Sequence, residues 1–100
     1  MTAAARAALK LIQACVDAGR YIVSRHFTER MDQRGLMWPD VLAVIEEPSD
    51  VRDGGPEKLG RPKWIVSGEA AYGMEIEIVC VLDSDSGDET TLFITLYYQS

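Results

Sequence analysis

The chain has 100 residues, 47% of them hydrophobic and 26% charged, and a formal net charge of −6. That size and composition describe one globular domain with enough apolar mass for its own core. They exclude a transmembrane run of about 18 apolar residues and a uniformly basic nucleic-acid binder.

The N-terminal stretch MTAAARAALKLIQACVDAGR is alanine-rich, but Arg6, Lys10 and Gln13 interrupt it, so it lacks the continuous apolar segment of an export signal. It reads as a surface helix of a cytoplasmic protein, capped by Thr2 and running to about Ala18. Leu9, Ile12 and Val16 recur at helical spacing, and Gly19 supplies the stop. Tyr21–Ser24 is short, apolar and β-branched, which predicts a strand. A second helix follows Ser24 as N-cap and ends at Gly35. The box that would reinforce such a cap needs Glu or Gln at position 27, which holds Phe27.

LMWPDVLAVIEEP predicts a third helix, with Pro39 and Asp40 in its first turn, Val41, Leu42 and Ile45 as its apolar stripe, and Pro48 as its stop. Trp38 is expected to pack in or against the core. Residues 49–62 hold Gly54, Gly55, Pro56, Gly60 and Pro62, which predict a loop with a short extended piece at Val51 and Arg52. Lys63–Gly68 is a predicted strand with Trp64 in the core, and EAAYG is the connection after it. Two alternating strands close the chain. In the first, Met74, Ile76, Ile78, Cys80 and Leu82 point to one face, and Glu75, Glu77, Val79, Val81 and Asp83 to the other. In the second, strict alternation sets Leu92, Ile94, Leu96 and Tyr98 against Thr91, Phe93, Thr95 and Tyr97. DSDSGDE joins them. It lacks the bidentate glutamate of a twelve-residue calcium loop and reads as a hairpin.

The expected fold class is α+β: N-terminal helices, with a short early strand between them, packed on one face of an antiparallel sheet. The apolar faces, Met74 to Leu82 and Leu92/Ile94/Leu96, are expected to meet the helices.

The scarce cations gather in one place. Residues 20–34 carry Arg20, Arg25, Arg30 and Arg34 against Glu29 and Asp32, a local +2, and the rest of the chain carries −8. On a helix at about 100° per residue, Arg30 and Arg34 fall about 40° and 80° from His26, and Phe27 and Met31 follow at about 100° and 140°. The stripe His26–Arg30–Arg34 therefore borders the core. A histidine titrating near neutrality moves protons, and two arginines clamp phosphate oxygens and stabilise developing charge. That pattern suits chemistry on a phosphodiester. It equally suits a docking site for an acidic partner, or plain structural pairing with Glu29, Glu46, Glu47 or Asp50. Thr95 and Tyr97 share a strand face, where two hydroxyls either orient a substrate or form ordinary sheet surface. The single histidine and the two distant cysteines, Cys15 and Cys80, follow no metal spacing, so buried free thiols, no metal and no cofactor are expected.

Taken together, His26, Arg30, Arg34-Gly35, Asp40-Val41, Pro48 and the closing Thr95-x-Tyr97 resemble the bacterial domain of unknown function DUF4258. The match runs from about Tyr21 to Tyr98, and residues 1–19 form an extra N-terminal helix within a single domain. The resemblance implies a fold related to the RelE and BrnT type of small toxin, most of which are ribonucleases of toxin–antitoxin pairs. It implies RNA or the ribosome as target, and an antitoxin partner, with a YgiT-type zinc finger as one form. His26, Arg30, Arg34, Thr95 and Tyr97 are then the candidate catalytic residues. The alternative is a non-catalytic interaction module.

Overall fold

The computed structural model describes residues 1–70, 73–84 and 87–98. In chain order the elements are α1 (Ala3–Asp17), β1 (Tyr21–Val23), α2 (Arg25–Gln33), α3 (Trp38–Glu46), β2 (Asp50–Pro56), β3 (Pro62–Glu69), β4 (Glu75–Asp83) and β5 (Thr90–Tyr98). The strands form one sheet in the order β1-β5-β4-β3-β2. The pairings from β2 through β5 are antiparallel, and β1 lies parallel to β5, so the sheet is mixed. All three of these helices pack on one face, as the α+β reading requires. No helix among the described residues is long and apolar enough to cross a membrane.

The helices start where the sequence provides caps. Thr2 Oγ1 accepts the amide of Ala5 at 3.0 Å, and Ser24 Oγ accepts that of Phe27 at 3.0 Å. At α3 the Asp40 carboxylate accepts the Met37 amide at 2.8 Å, beside Pro39 in the first turn. Gly35 ends α2 at φ 66°, a left-handed conformation that a Cβ disfavours.

The core lies between helices and sheet. Ala5, Ala8 and Ile12 of α1, Phe27 of α2, and Val41, Val44 and Ile45 of α3 pack against Val51, Val66, Ile76, Ile78, Cys80, Leu82, Phe93 and Leu96. Phe27, Tyr21 and Trp38 all meet the ring of Phe93, with centroids 5.6, 6.0 and 5.3 Å away. Trp38 also stacks on Tyr21, and Trp64 is half-buried against the core. Both cysteines are buried and free, and burial pushes the Cys80 thiol up. At Gly68 a Cβ would stand 2.9 Å from Val44 Cγ1, so α3 rests directly on the backbone of β3.

Two expectations fail, each for a local reason. The extended piece expected at Val51 and Arg52 is part of a longer strand, β2 over residues 50–56, in place of a loop; Val51 is buried opposite Val66, and the register shift falls between Asp53 and Pro56. The glycines and proline that suggested a loop mark an irregular edge strand instead. On β5 strict alternation breaks. Val79 pairs with Thr95 but Cys80 pairs with Phe93, which leaves Ile94 as an extra residue. Phe93 therefore joins Leu96 and Tyr98 on the helix side. Leu92 and Ile94, expected there, are only half-buried and take no part in that core. The strand β4 keeps the alternation read from its sequence. Part of the DSDSGDE hairpin (residues 85–86) and of the EAAYG connection (residues 71–72) lies outside the described residues.

Candidate functional site at the edge of β5

The strand β1 covers the outer edge of β5 only along Thr91–Phe93. Beyond it, side chains from Ser24 and α2 take over that edge. Ser24 Oγ donates to the carbonyl of Ile94 at 2.8 Å while it caps α2. Arg30 Nε donates to the carbonyl of Leu96 at 3.2 Å. Phe27, fully buried, seats the helix, and Met31 packs partly against the same core. The cationic stripe thus runs along the sheet edge, as its helical projection beside Phe27 and Met31 requires.

Arg30 reaches Tyr97: its Cζ lies 5.8 Å from the ring centroid. Its Nη1 also points at Gln33 Oε1, 3.5 Å away. Thr95 shares the sheet face of Tyr97, turned away from the helices. The two differ in access. Tyr97 is 48% exposed, whereas Thr95 is 7% exposed and its Oγ1 is sealed from solvent with no hydrogen-bond partner. Arg34 takes a different ring. Its Cζ lies 4.5 Å from the centroid of Tyr98, whose hydroxyl donates to the Arg34 carbonyl at 3.0 Å. Tyr98 shares the helix side with Leu96, as alternation from Leu96 requires, so Arg34 stands apart from Thr95 and Tyr97. His26, one turn before Arg30, is exposed, and its side chain makes no hydrogen bond or ion pair among the described residues. The structure therefore joins Arg30 to Tyr97, with Thr95 buried beside them. It pins Arg34 on Tyr98 and leaves His26 at the solvent margin.

The electrostatics of this edge are unusual for an acidic chain. Among the described residues no carboxylate pairs with Arg30, Arg34 or His26. The ion pairs lie elsewhere: Arg25–Glu29 at 3.2 Å, Arg52–Glu77 at 2.6 Å, and Arg61 with Glu57 and Asp83, both at 2.9 Å. Of the acids open to the stripe on sequence grounds, Glu29 pairs with Arg25 instead, and Glu46, Glu47 and Asp50 pair with neither Arg30 nor Arg34. Guanidinium groups held by a carbonyl and by ring faces keep their full charge and most of their donors.

Sequence reasoning missed a second polar group on the open sheet face. Arg52 of β2 reaches across β3, with Nη2 on Glu77 and Nη1 3.4 Å from Ser67 Oγ. Alternation places Glu77 on that face, but the short extended piece expected at Val51 and Arg52 carries no partner in the sequence, and only the strand register aligns the two side chains. Among the described residues no three His, Cys, Asp or Glu side chains converge where a metal ion could sit.

No curated protein matches this chain. A family model does, over residues 23–98, which include every candidate residue and begin after α1. The chain belongs to the family described as Domain of unknown function (DUF4258).

Proposed function

We propose that the protein is the toxin of a toxin–antitoxin pair and that it cleaves RNA through attack of a ribose 2′-hydroxyl on the adjacent phosphorus. The observation that carries this reading is Arg30, an arginine without a carboxylate partner, fixed at the β5 edge beside an exposed tyrosine. A P–O bond forms at the 2′-oxygen and the bond to the 5′-oxygen breaks, which leaves a cyclic phosphate and a free 5′-hydroxyl. His26 takes the 2′ proton as general base, and in its protonated form returns one to the leaving oxygen. Arg30 stabilises the charge on the phosphorane oxygens, and Arg34 adds to the local potential. Tyr97 positions the substrate, and Thr95 supports that strand. This reading carries with it a RelE-like relationship, a cytoplasmic site of action and a partner antitoxin, of the YgiT zinc-finger type or another, that masks the cationic edge.

Induced expression is expected to arrest growth, and His26→Ala or Arg30→Ala to relieve the arrest while the protein stays folded. A wild-type chain that is harmless at high expression and cleaves no RNA, with or without ribosomes, sinks the proposal.

A second reading has its own support. Arg30 and Arg34 both help hold α2 to β5, as they would in a non-catalytic interaction module. There His26→Ala weakens binding of an acidic partner, and no RNA product forms under any condition.

A further inference from the structure

We infer that the substrate is single-stranded RNA lying across the open face of the sheet, from Arg30 at β5 to Arg52 at β2, with Arg52 as a second phosphate ligand. The inference rests on the ribonuclease reading and extends it to substrate form and path.

The register lines up the surface. Tyr97 stands opposite Glu77, and Glu77 opposite Ser67, so three adjacent strands place these side chains in one file. Neighbouring strands are about 4.8 Å apart, so the file crosses about 10 Å of sheet. Arg30 borders it at one end through the Tyr97 ring. At the other end Asp50 stands opposite Ser67 on β2, and Arg52 reaches in from the next row to Glu77 and Ser67. The Arg52 side chain is 47% exposed and Glu77 only 16%, so the carboxylate lies beneath while the guanidinium presents its remaining N–H donors to solvent. Glu77 and Ser67 fix Arg52 in place; they are positioning residues. Beside the file, Thr95, Val79, Ile65 and Arg52 form the next register row, and Val79 and Ile65 give it an apolar floor.

This surface has the two parts a single strand needs: separated cations for the backbone and an exposed aromatic face for a base. It does not suit a duplex. A double helix carries a dense double row of phosphates, and an acidic chain with Arg52 and Lys63 on this face and Arg30 at its border offers little to offset them. The border is acidic too. Glu69 stands opposite Glu75 in the row beyond Ser67 and Glu77, which repels phosphates that stray toward that end.

The test is fluorescence anisotropy with a 2′-O-methyl oligoribonucleotide, which lacks the attacking hydroxyl and so reports binding without cleavage. The single strand is expected to bind, and the same sequence as a duplex to bind weakly. Arg52→Ala is expected to lose affinity by roughly tenfold and to flatten the salt dependence by about 0.7 in the log–log slope. Lys10→Ala, on α1, is expected to bind as wild type does. On the unmutated protein the amide resonances of Ile65, Ser67 and Val79 are expected to shift on titration, which keeps the test open should Arg52→Ala fail to fold. Unchanged affinity in Arg52→Ala with RNA cleavage intact overturns this path and leaves the ribonuclease reading standing. A duplex or an acidic oligopeptide bound as tightly as the single strand also overturns it, as do shifts confined to α1. Binding with the expected footprint but no cleavage of the 2′-hydroxyl oligonucleotide supports the path and sinks the ribonuclease reading. A wild type that neither binds nor cleaves RNA sinks both.

Discussion

Two half-buried arginines flank opposite ends of the same sheet, and their surroundings differ. Arg61, just before β3, is held by Glu57 and by Asp83, each at 2.9 Å. Its hydrogen bonds to those carboxylates raise its pKa further, and the Arg61 side chain holds Glu57 down at about 2, helped by the backbone amides of Arg61 and Leu59. Arg30 has a carbonyl, a glutamine and a ring, and no carboxylate among the described residues. The first arrangement neutralises its cation and ties the 57–61 turn to the end of β4. The second uses one N–H for structure and leaves the charge available. In a chain of net −6, that contrast separates a cation offset by two carboxylates from one that no carboxylate among the described residues offsets.

The largest expected effect breaks the Arg30 side through its support. Phe27→Ala removes the fully buried anchor of α2 and is expected to cost about 3–5 kcal/mol. Chemical denaturation measures the loss, and the Arg61 cluster should be unaffected in the residual folded state. Next come the arginines themselves. Arg61→Ala leaves Glu57 and Asp83 without their shared cation, and is expected to lower the thermal midpoint more than Arg30→Ala does. Arg30→Ala gives up one net hydrogen bond at a sheet edge that water re-solvates, about 1 kcal/mol. Paired melts of the two variants decide this, and equal losses would erase the distinction between them. The smallest effect sharpens the Arg61 side. Glu57 has a folded pKa of about 2, below its ordinary value of 4.5, so its contribution is present above the ordinary value and fades as pH falls from 4.5 toward 2. Glu57→Gln is therefore expected to be less stable than wild type at pH 6, with the gap narrowing by pH 3 in denaturant midpoints.

Much of this architecture was legible from residue spacing. The caps Thr2 and Ser24, Pro39 in a first turn and the alternation of β4 all work through neighbours a few positions away. Short-range rules describe such neighbours well. The edge strand β2 was legible only at Val51 and Arg52, because Gly54, Gly55 and Pro56 read as a turn, and only pairing with β3 extends the strand to them. The alternation of β5 failed for a related reason: the extra residue at Ile94 is set by its partner strand, and no signal within TTLFITLYY announces it. The stripe His26–Arg30–Arg34 is visible on a helical wheel, and the family resemblance joined it to Thr95 and Tyr97. That Tyr97 and Tyr98 face opposite ways follows from alternation, but which arginine meets which ring depends on how α2 docks on β5. The file linking Tyr97 to Glu77, Ser67 and Arg52 depends on pairing between strands far apart in the chain.

The serine at position 24 has a consequence for how this edge opens. Its amide donates to the Phe93 carbonyl at 3.0 Å, its hydroxyl donates to the Ile94 carbonyl at 2.8 Å, and the same oxygen accepts the Phe27 amide at 3.0 Å. One residue thereby closes the first turn of α2 and the bulged segment of β5 together. Fraying of the helix start releases the strand edge in the same event, so the two belong to one cooperative unit of local unfolding. Amide exchange at Phe27 then follows the opening of the β5 edge rather than the independent breathing of a helix end. The cationic edge is delivered as a single rigid piece or not at all.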